Sequence, residues 1–548
     1  MKIGFNKSKL FSSISSKKYL IILCLSLVLF SWIQATPTLM DPDSFYHAKM
    51  ALFLKGGEII KDLPWFQATT LKENFTDQHF LYHIILVPFV SFFDPLIGIK
   101  IAQVIFASLA TLSIYWFLEK YRIKGAFFYT LLLFTSYFFI FRLNLVKAPA
   151  LSLIILVFAL YFIFKRRYIW IFLLSIFYVW TYGGWPILLI ITVLFLIAET
   201  FSYLNSNKEA ADNLLKNSKI KSLYFFCLLV IKNFLKKDSL KLFFSVLGGI
   251  IFGLVISPYF PHNLSFYWVQ IFKIGVVNFQ NTIGVGGEWY PSYSFVVIPE
   301  TFLVFFLWIF SFGWFFIQIK KQGKEAVTLG LLSILFFFLS LKSRRYLEYF
   351  VPVALLASSF FLNNFWSMIE WKNYYQQFKK LFLPPYGFLS VFIYFWFIIF
   401  LLFFVQNNLG KILSLRGDFE NGLPFSYFQR ASNYLKENTP PGSIIFHDMW
   451  DESPMLFYYN DHNYYINGLD QTFMYLYSPD LYRLWEQIVN GDIKGESLAT
   501  AIKNEFQAPY VLIAKVDRSE KMRDNIKEDN YFEKIYEDEE AIIYKINL

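Results

Sequence analysis

The stretch Asp41-Pro42-Asp43-Ser44-Phe45-Tyr46-His47 follows the first long apolar run of the chain and opens its first long polar loop. It places two carboxylates, Asp41 and Asp43, and an imidazole beside a segment apolar enough to span a membrane. A nucleophile needs a base or a metal to polarise it, and a carboxylate can serve as either. The structural alternative is that Asp43 caps a helix running through Leu54. The stretch is therefore a candidate catalytic loop at the mouth of a membrane segment.

The composition of the chain is that of a polytopic membrane protein. Of its 548 residues, 56% are hydrophobic and 22% are aromatic, and the mean hydropathy is +0.44, far above that of an ordinary soluble domain. The net charge of +10 would suit a nucleic-acid partner if the chain were soluble. The Lys and Arg residues collect in short loops, however, which is the pattern of a membrane protein. We therefore expect the lipid bilayer, and no nucleic acid, as a partner.

Apolar runs of about 15 to 23 residues predict about 11 transmembrane helices and a polytopic α-helical fold. The runs lie near 19–35, 96–118, 125–141, 149–165, 168–182, 184–200, 241–258, 297–318, 325–341, 346–363 and 385–405. The run 79–93 is excluded because it is short and because His79, His83 and Pro88 interrupt it. We expect it to form a helix at the membrane interface.

The distribution of basic residues predicts the orientation in the membrane. Leaving out 79–93 places clusters such as Lys165-Arg166-Arg167 on the side of the N-terminus, which the positive-inside rule makes cytoplasmic. The loops 36–95 and 259–296 and the C-terminal part of the chain then lie outside the cytoplasm. The basic turn Lys342-Ser343-Arg344-Arg345 breaks the rule because it lies on the outer side. This exception makes it a candidate functional element.

The last part of the chain differs in character, since charged residues return and apolar runs shorten. We predict a multi-spanning domain over 1–408 and a soluble extracytoplasmic α/β domain over 409–548. Predicted elements of the second domain are buried strands at Ser443–Phe446 and Tyr510–Ala514, an edge strand at Ala541–Ile546, and helices at Leu498–Glu505 and at Pro479–Asn490, where Ser478 is placed as a cap.

Further polar residues of the outer loops are candidates for chemistry. His79 and His83 follow Asp77 and lie four residues apart, so a helix would turn both imidazoles to one side, as in metal sites. Histidines satisfied inside an aromatic-rich helix are the alternative. Glu288 is a lone acid that ends the glycine-rich stretch Thr282–Glu288, which is typical of a mobile loop that closes over a substrate. A solvated loop acid is the alternative there.

Basic and aromatic residues near the outer ends of the spans complete the candidates. Arg345, and Arg142 with Lys147, suit a phosphate or pyrophosphate, whereas cations that extend toward lipid headgroups are the alternative. Trp450-Asp451 follows a predicted strand, where loops commonly hold binding residues. An aromatic ring beside a carboxylate could bind a sugar or a hydroxyl-bearing acceptor, or could simply stabilise the fold.

Taken together, these segments resemble the catalytic subunit of oligosaccharyltransferases, the GT-C family that transfers a glycan from a polyprenyl carrier to asparagine. The matching segments, in the order of the family, are Asp43-Ser44-Phe45-Tyr46-His47-Ala48-Lys49 in the first loop, Trp180-Thr181-Tyr182-Gly183-Gly184-Trp185 at a membrane turn, Thr282 to Glu288 in the mobile loop, Arg345-Tyr346 with Val351-Pro352-Val353 near the lipid phosphate, and Trp450-Asp451 at the centre of the C-terminal Trp-Trp-Asp-Tyr-Gly motif.

The resemblance implies transfer of a sugar or oligosaccharide from a polyprenyl-(pyro)phosphate donor to a protein, lipid or glycan acceptor on the outer face of the membrane. Asp43, with Asp41 beside it, would activate the acceptor or hold a divalent cation, Mg or Mn, for which His47 would be a second ligand. Glu288 would close the site. The remaining implied roles are donor phosphate binding by Arg345, Lys147, Arg142, His79 and His83, and acceptor binding by Trp450 and Asp451.

Two departures from the family leave alternatives open. Where the family has a second acidic motif after an arginine, this chain has Arg142-Leu143-Asn144-Leu145-Val146-Lys147, without a carboxylate, and only Trp450-Asp451 remains of the C-terminal motif. One alternative is therefore a metal-independent GT-C transferase with a lipid or polysaccharide acceptor, in which Lys147 supplies the positive charge. A non-catalytic protein that binds or transports lipid-linked glycans is another, although transporters usually place polar groups at the bilayer midplane.

Overall fold

The computed structural model describes residues 7–207, 219–291, 300–365, 387–527 and 529–548. Helices form most of the first 420 residues. Their bounds are Lys7–Gln34, Asp43–Lys55, Phe80–Phe92, Pro95–Lys120, Ala126–Leu132, Tyr137–Asn144, Pro149–Phe164, Tyr168–Thr181, Ile187–Ser206, Lys219–Phe234, Lys237–Val255, His262–Trp268, Phe302–Ile317, Lys324–Lys342, Leu347–Phe361 and Gly387–Glu420.

Within the described residues, six helices are long and apolar enough to cross a membrane, or seven if one bent pair counts as a single span. The chain is therefore an integral membrane protein, but the predicted count of about 11 spans is not confirmed. Several predicted spans coincide with shorter apolar helices such as Tyr168–Thr181, whose 14 residues extend only about 21 Å against a hydrocarbon core of about 30 Å. Residues 297–299 and 385–386 of two predicted spans lie outside the described residues.

The predicted span 125–141 is broken. Its two halves, Ala126–Thr135 and Tyr137–Asn144, meet at an angle of 78°, because Ser136 between them has extended backbone (ψ 107°). The amide of Gln103 donates to the carbonyl of Leu143 (2.7 Å) and so satisfies an open carbonyl at the end of the second half. The second half and the turn that follows it contribute Arg142 and Lys147 to the wall of a cavity.

Helices Phe80–Phe92 and Pro95–Lys120 form a tight hairpin that supports the first loop. Asp94 caps the second helix by accepting from the backbone of Leu96 (3.1 Å), and Pro95 suits its first turn. A Cβ atom on Gly98 would lie 2.4 Å from the carbonyl oxygen of Phe89, so only glycine permits this approach. Further along the second helix, Lys100 is buried and donates to the carbonyls of Thr36 and Thr38 (2.6 Å each), which fixes the segment that leads into Asp41.

The chain has seven strands: β1 Thr38–Leu39, β2 Leu423–Pro424, β3 Ile444–His447, β4 Tyr464–Tyr465, β5 Tyr510–Ala514, β6 Phe532–Glu537 and β7 Ala541–Ile546 in the described residues. Five of them form a mixed sheet in the C-terminal part, in the order β4-β3-β5-β7-β6. Strands β3, β4 and β5 are parallel, and β7 runs antiparallel to β5 and β6. A separate two-stranded ladder, β1 with β2, connects the end of the first helix to the start of this part.

The strands predicted at 443–446 and 510–514 are present as β3 and β5, as is the helix predicted at 479–490, which spans Pro479–Val489. Its first turn is capped as expected, since the Ser478 hydroxyl accepts from the backbone of Leu481 (3.2 Å). The prediction of an edge strand at Ala541–Ile546 is wrong, because β7 lies between β5 and β6. Four consecutive buried residues at its start show that both of its faces are covered.

The remaining helices of this part are short and pack on the sheet or between it and the membrane helices. Their bounds are Gln429–Asn438, Ser453–Tyr459, Gln471–Tyr477, Gly495–Thr500 and Glu520–Lys527.

Candidate functional site

A cavity of about 480 Å³ lies where one set of helix ends, the first loop and the C-terminal part meet. Its wall combines the first loop and the turn before Pro149 with the glycine-rich loop, the basic turn after Lys342 and two segments of the C-terminal part. Ten of the eleven residues predicted from the sequence line it, namely Asp41, Asp43, His47, His79, Arg142, Lys147, Glu288, Arg345, Trp450 and Asp451. The cavity is therefore the candidate active site.

One ammonium group joins the two acids of the first loop. Lys147 Nζ lies 2.8 Å from a carboxylate oxygen of Asp41 and 2.8 Å from one of Asp43. Asp43 begins the helix Asp43–Lys55 without acting as its cap, which leaves its carboxylate free to turn toward Lys147. Burial lowers the pKa of Lys147, but the two carboxylates outweigh burial and the net pKa is raised. Lys147 therefore remains charged at neutral pH.

The residues of this region do not fit a divalent cation. A metal needs several oxygen or nitrogen ligands around one point, yet the point shared by Asp41 and Asp43 is taken by Lys147 Nζ. The second predicted ligand, His47, holds its Nδ1 in a hydrogen bond to His83 (2.7 Å), which leaves only its Nε2 for any other contact. Across the part of the chain that the structure describes, no three His, Cys, Asp or Glu side chains are grouped to hold a metal.

Two arginines and two glutamates form a second group of ion pairs, of which Arg142, Arg345 and Glu288 line the cavity. Arg142 pairs with Glu348 through Nε (2.8 Å) and Nη2 (2.6 Å) and with Glu288 through Nη1 (2.6 Å). Arg345 pairs with the other oxygen of Glu288 (3.1 Å) and donates to the hydroxyl of Tyr182 (2.5 Å). Burial raises the pKa of Glu288, but the guanidinium groups of Arg345 and Arg142 outweigh it and the net pKa is lowered. Glu288 is therefore ionised.

Backbone contacts hold the glycine-rich loop against the basic turn. The hydroxyl of Ser343 donates to the carbonyl of Glu288 (2.8 Å), and the backbone amide of Arg344 donates to the carbonyl of Tyr290 (3.0 Å). On the other side of the loop, the side chain of Asn278 donates to the carbonyl of Trp289 (2.8 Å). The predicted loop acid thus lies inside the cavity and not in solvent.

The histidines form a buried chain with Asp77. His83 Nδ1 lies 2.6 Å from Asp77 Oδ2, and its Nε2 lies 2.7 Å from His47 Nδ1. The predicted donor-phosphate role of His83 is wrong for this geometry, because its side chain is fully buried behind His47 and is absent from the cavity wall. His79, which immediately precedes the helix, does line the cavity. Burial and the neighbouring His83 lower the pKa of His79 to about 3.

The C-terminal part closes the cavity with Trp450 and Asp451. Asp451 accepts two hydrogen bonds from Arg518 (2.9 and 3.2 Å). The amide oxygen of Gln471 accepts from the indole N–H of Trp450 (3.0 Å), while its nitrogen donates to the carbonyl of Gly284 (2.7 Å). Gln471 therefore couples the predicted acceptor residues to the glycine-rich loop.

Solved structures of other proteins share this fold. The oligosaccharyltransferase of Archaeoglobus fulgidus in the apo form aligns with a TM-score of 0.60 at 12% identity, over 90% of this chain and 69% of that chain. Archaeal oligosaccharyltransferase AglB from Archaeoglobus fulgidus, in complex with an inhibitory peptide and a dolichol-phosphate, aligns with a TM-score of 0.58 at 14% identity, with the same coverage. ArnT from Cupriavidus metallidurans bound to undecaprenyl phosphate aligns with a TM-score of 0.55 at 13% identity, over 96% of this chain and 97% of that chain.

The chain thus shares the fold of these oligosaccharyltransferase and ArnT structures, in agreement with the resemblance of its sequence motifs. Identities this low show the fold and not the activity. No protein-family model and no curated protein matches the chain.

Proposed function

We propose that the protein is a membrane glycosyltransferase that moves a sugar from a polyprenyl-phosphate carrier to an acceptor at the outer end of the helix bundle. The observation that carries the proposal is the arrangement of charge around one cavity. Asp41 and Asp43, paired with Lys147, and Arg142 and Arg345, paired with Glu288, all line it. Membrane proteins rarely bury so many ionisable groups without a functional reason.

The charges match the transition state of glycosyl transfer. As the bond from the sugar to the carrier phosphate breaks, positive charge develops on the sugar and negative charge develops on the leaving phosphate. Carboxylates near the sugar stabilise the first, and guanidinium groups near the phosphate stabilise the second by two-pronged hydrogen bonds. In this assignment Asp43 and Asp41 face the sugar, Arg345 and Arg142 bind the phosphate, and Glu288 closes the site.

We further propose that transfer does not require a divalent cation. Lys147 Nζ already bridges the two carboxylates, so it supplies the positive charge that a divalent cation would supply between them. This choice favours the alternative of a metal-independent transferase over a close functional copy of oligosaccharyltransferase. Asp451 bound to Arg518 is compatible with a lipid or glycan acceptor as well as with a protein.

The donor class rests on the similar structures and on the site together. Two of those structures hold dolichol-phosphate and undecaprenyl phosphate as bound molecules, and a carrier of this type would present its phosphate to Arg345 from the bilayer. The orientation we propose has the N-terminus in the cytoplasm. The cavity and residues 409–548, as a soluble α/β domain, then lie on the opposite side of the membrane.

The test is release of polyprenyl phosphate or pyrophosphate from total lipid-linked sugars by the purified chain in detergent micelles. Asp43→Asn should lower the release at least roughly 100-fold, because it removes a charge that the transition state needs. Asp480→Asn is the matched control. It removes the same charge from an exposed helix, where Asp480 pairs with its neighbour Arg483 and, among the described residues, with no other cation, so full activity is expected.

Each outcome selects between the functions considered. Release that is lost in Asp43→Asn and unaffected by EDTA supports the metal-independent transferase. Release that is lost in Asp43→Asn and also lost in EDTA supports a metal-dependent enzyme of the oligosaccharyltransferase type and contradicts the role given to Lys147. Donor binding without release by the wild type would favour a glycan-binding or transport protein.

A further inference from the structure

The buried chain Asp77–His83–His47 ends at the cavity. Asp77 and His47 are each 3% exposed and His83 is fully buried, yet His47 lines the cavity wall. The second oxygen of Asp77 accepts from the backbone amide of His79 (2.9 Å), so both of its oxygens are held and the carboxylate cannot rotate. The chain therefore links a fixed carboxylate, through two imidazoles, to the space where substrates bind.

The hydrogen bonds determine which nitrogen of each ring carries a proton. A carboxylate only accepts, so His83 donates from Nδ1 to Asp77. In a neutral ring His83 Nε2 then accepts, which requires His47 to donate from Nδ1. The lone pair of His47 is left on Nε2. Among the described contacts, this nitrogen has no hydrogen-bond partner within the protein.

From this geometry we infer that His47 Nε2 is the base that removes the proton from the acceptor, and that the acceptor is an alcohol-type hydroxyl. The inference rests on the proposed glycosyltransferase function and assigns its proton acceptor. An oxygen of the hydroxyl forms the new bond to the anomeric carbon, and its proton passes to Nε2. The bond from that carbon to the carrier oxygen breaks, and its electron pair leaves with the polyprenyl phosphate.

The surroundings of His47 explain why Asp77 is needed. Burial lowers the pKa of His47, so the ring is neutral before the reaction. The ring of Tyr82 (5.2 Å between centroids) covers another side of it. When Nε2 takes a proton, His47 becomes positively charged. His83, which accepts from its Nδ1, and the carboxylate of Asp77 behind His83 stabilise that charge. A carboxylate placed behind an imidazole stabilises an imidazolium in the same way in other enzymes.

Assigning the base to His47 gives Asp41 and Asp43 a different role. Asp43 and Asp41 are both paired with Lys147. With His47 as the base, neither carboxylate has to take the proton of the acceptor, and both can face the positive sugar. His47 is thus a catalytic residue, whereas His83 and Asp77 are positioning residues that act through it.

The sharpest test is Asp77→Asn, which keeps the shape of the side chain and reverses the hydrogen bonds. The amide donates to His83 Nδ1, so His83 donates from Nε2 to His47 Nδ1 and the proton of His47 moves to Nε2. We expect kcat for polyprenyl-phosphate release to fall roughly 10²- to 10⁴-fold with an octyl glycoside as the hydroxyl acceptor. The KM for the donor should not change, because the arginines are untouched.

A second readout and a control separate this role from folding. In protein with ¹⁵N-labelled histidine, the His47 signals should show a bare Nε2 in the wild type and a protonated Nε2 in Asp77→Asn. Imidazole added to His47→Gly should restore part of the rate. His262→Gln is the matched control, since His262 is exposed at the start of the helix His262–Trp268 and its ring contacts Asn74 (3.2 Å) away from the buried histidines; it should behave like the wild type.

The failures of the two proposals are distinguishable. A wild type that releases no polyprenyl phosphate refutes the glycosyltransferase function and the base with it. If the wild type is active and Asp77→Asn and His47→Gln are equally active, the base assignment alone is wrong. Activity with an asparagine-containing peptide, but none with the glycoside or with serine- and threonine-containing peptides, would overturn the hydroxyl acceptor.

Discussion

Replacing Lys147 by alanine should lower the rate of sugar transfer and, unlike any other change in the cavity, should make the rate respond to metal. In the wild type, Lys147 Nζ lies 2.8 Å from an oxygen of Asp41 and 2.8 Å from an oxygen of Asp43. Without the ammonium, two carboxylates face each other in a site with little water. One of them then takes up a proton, and half of the negative charge that stabilises the sugar is lost.

The magnitude follows from the geometry. The two oxygens are at most twice 2.8 Å apart, about 5.6 Å. At an effective dielectric constant of about 20, two unit charges at that distance repel by about 3 kcal/mol, and at about 40 they repel by about 1.5 kcal/mol. The higher dielectric constant suits Asp43, whose side chain is 34% exposed. A tenfold change corresponds to about 1.4 kcal/mol, so the rate should fall roughly ten- to hundredfold.

The assay is polyprenyl-phosphate release by wild type, Lys147→Ala and Lys147→Arg, each in EDTA and in added Mg²⁺ or Mn²⁺. We expect Lys147→Arg to keep most of the activity because it retains the charge. Lys147→Ala should recover part of its loss in metal, since a divalent cation binds readily between two carboxylates and a substrate phosphate. Full activity of Lys147→Ala in EDTA would refute the electrostatic argument, and loss of wild-type activity in EDTA would refute the metal-free site.

Two further predictions concern other acids. Glu288→Gln should lower the donor KM roughly threefold to tenfold, because Glu288 competes with the donor phosphate for Arg142 and Arg345. The size of the effect follows from the two ion pairs, which are partly exposed and worth about 1 kcal/mol or less each. An unchanged or higher KM would contradict this. Burial raises the pKa of Asp448 to about 6, so the folded state holds this proton more tightly than the unfolded state. The free energy of unfolding should therefore fall as the pH rises from about 4 to 6, by up to about 3 kcal/mol from this group. Asp448→Asn should abolish this contribution. The check is the melting temperature of both proteins at about pH 4 and about pH 6: it should fall less in the variant.

Local signals predicted the elements whose ends are set by neighbouring residues. The helix that begins at Pro479 has its cap and its proline next to each other in sequence, and β5 is a short run of apolar residues. The bend at Ser136 has no such signal, because a serine within an apolar run is compatible with a continuous helix. The position of β7 inside the sheet depends on pairing with β6, which no local pattern specifies.

In the site, too, local motifs predicted the residues but not the contacts between them. Short motifs identified ten of the residues that line the cavity, since each motif concentrates charge beside a membrane segment. The pairings between them could not be predicted, because Lys147 and Asp43 are far apart in sequence and meet only through the packing of the helices. Glu348 and Asp77 were visible as acids beside candidate residues. Their partners, Arg142 and His83, became known only from the structure.

Arg142 shows how the cavity can accept a phosphate without losing its framework. Its Nε and Nη2 bind Glu348, whose side chain is 3% exposed, whereas its Nη1 binds Glu288, which is 22% exposed. A phosphate that displaced Glu348 would leave a buried carboxylate without its partner, at a cost of about 3 to 5 kcal/mol. Displacing Glu288 costs less, because that carboxylate lies on a loop and can turn toward water or toward the sugar. The exchangeable acid is therefore Glu288, and Glu348 holds Arg142 in place while the exchange occurs.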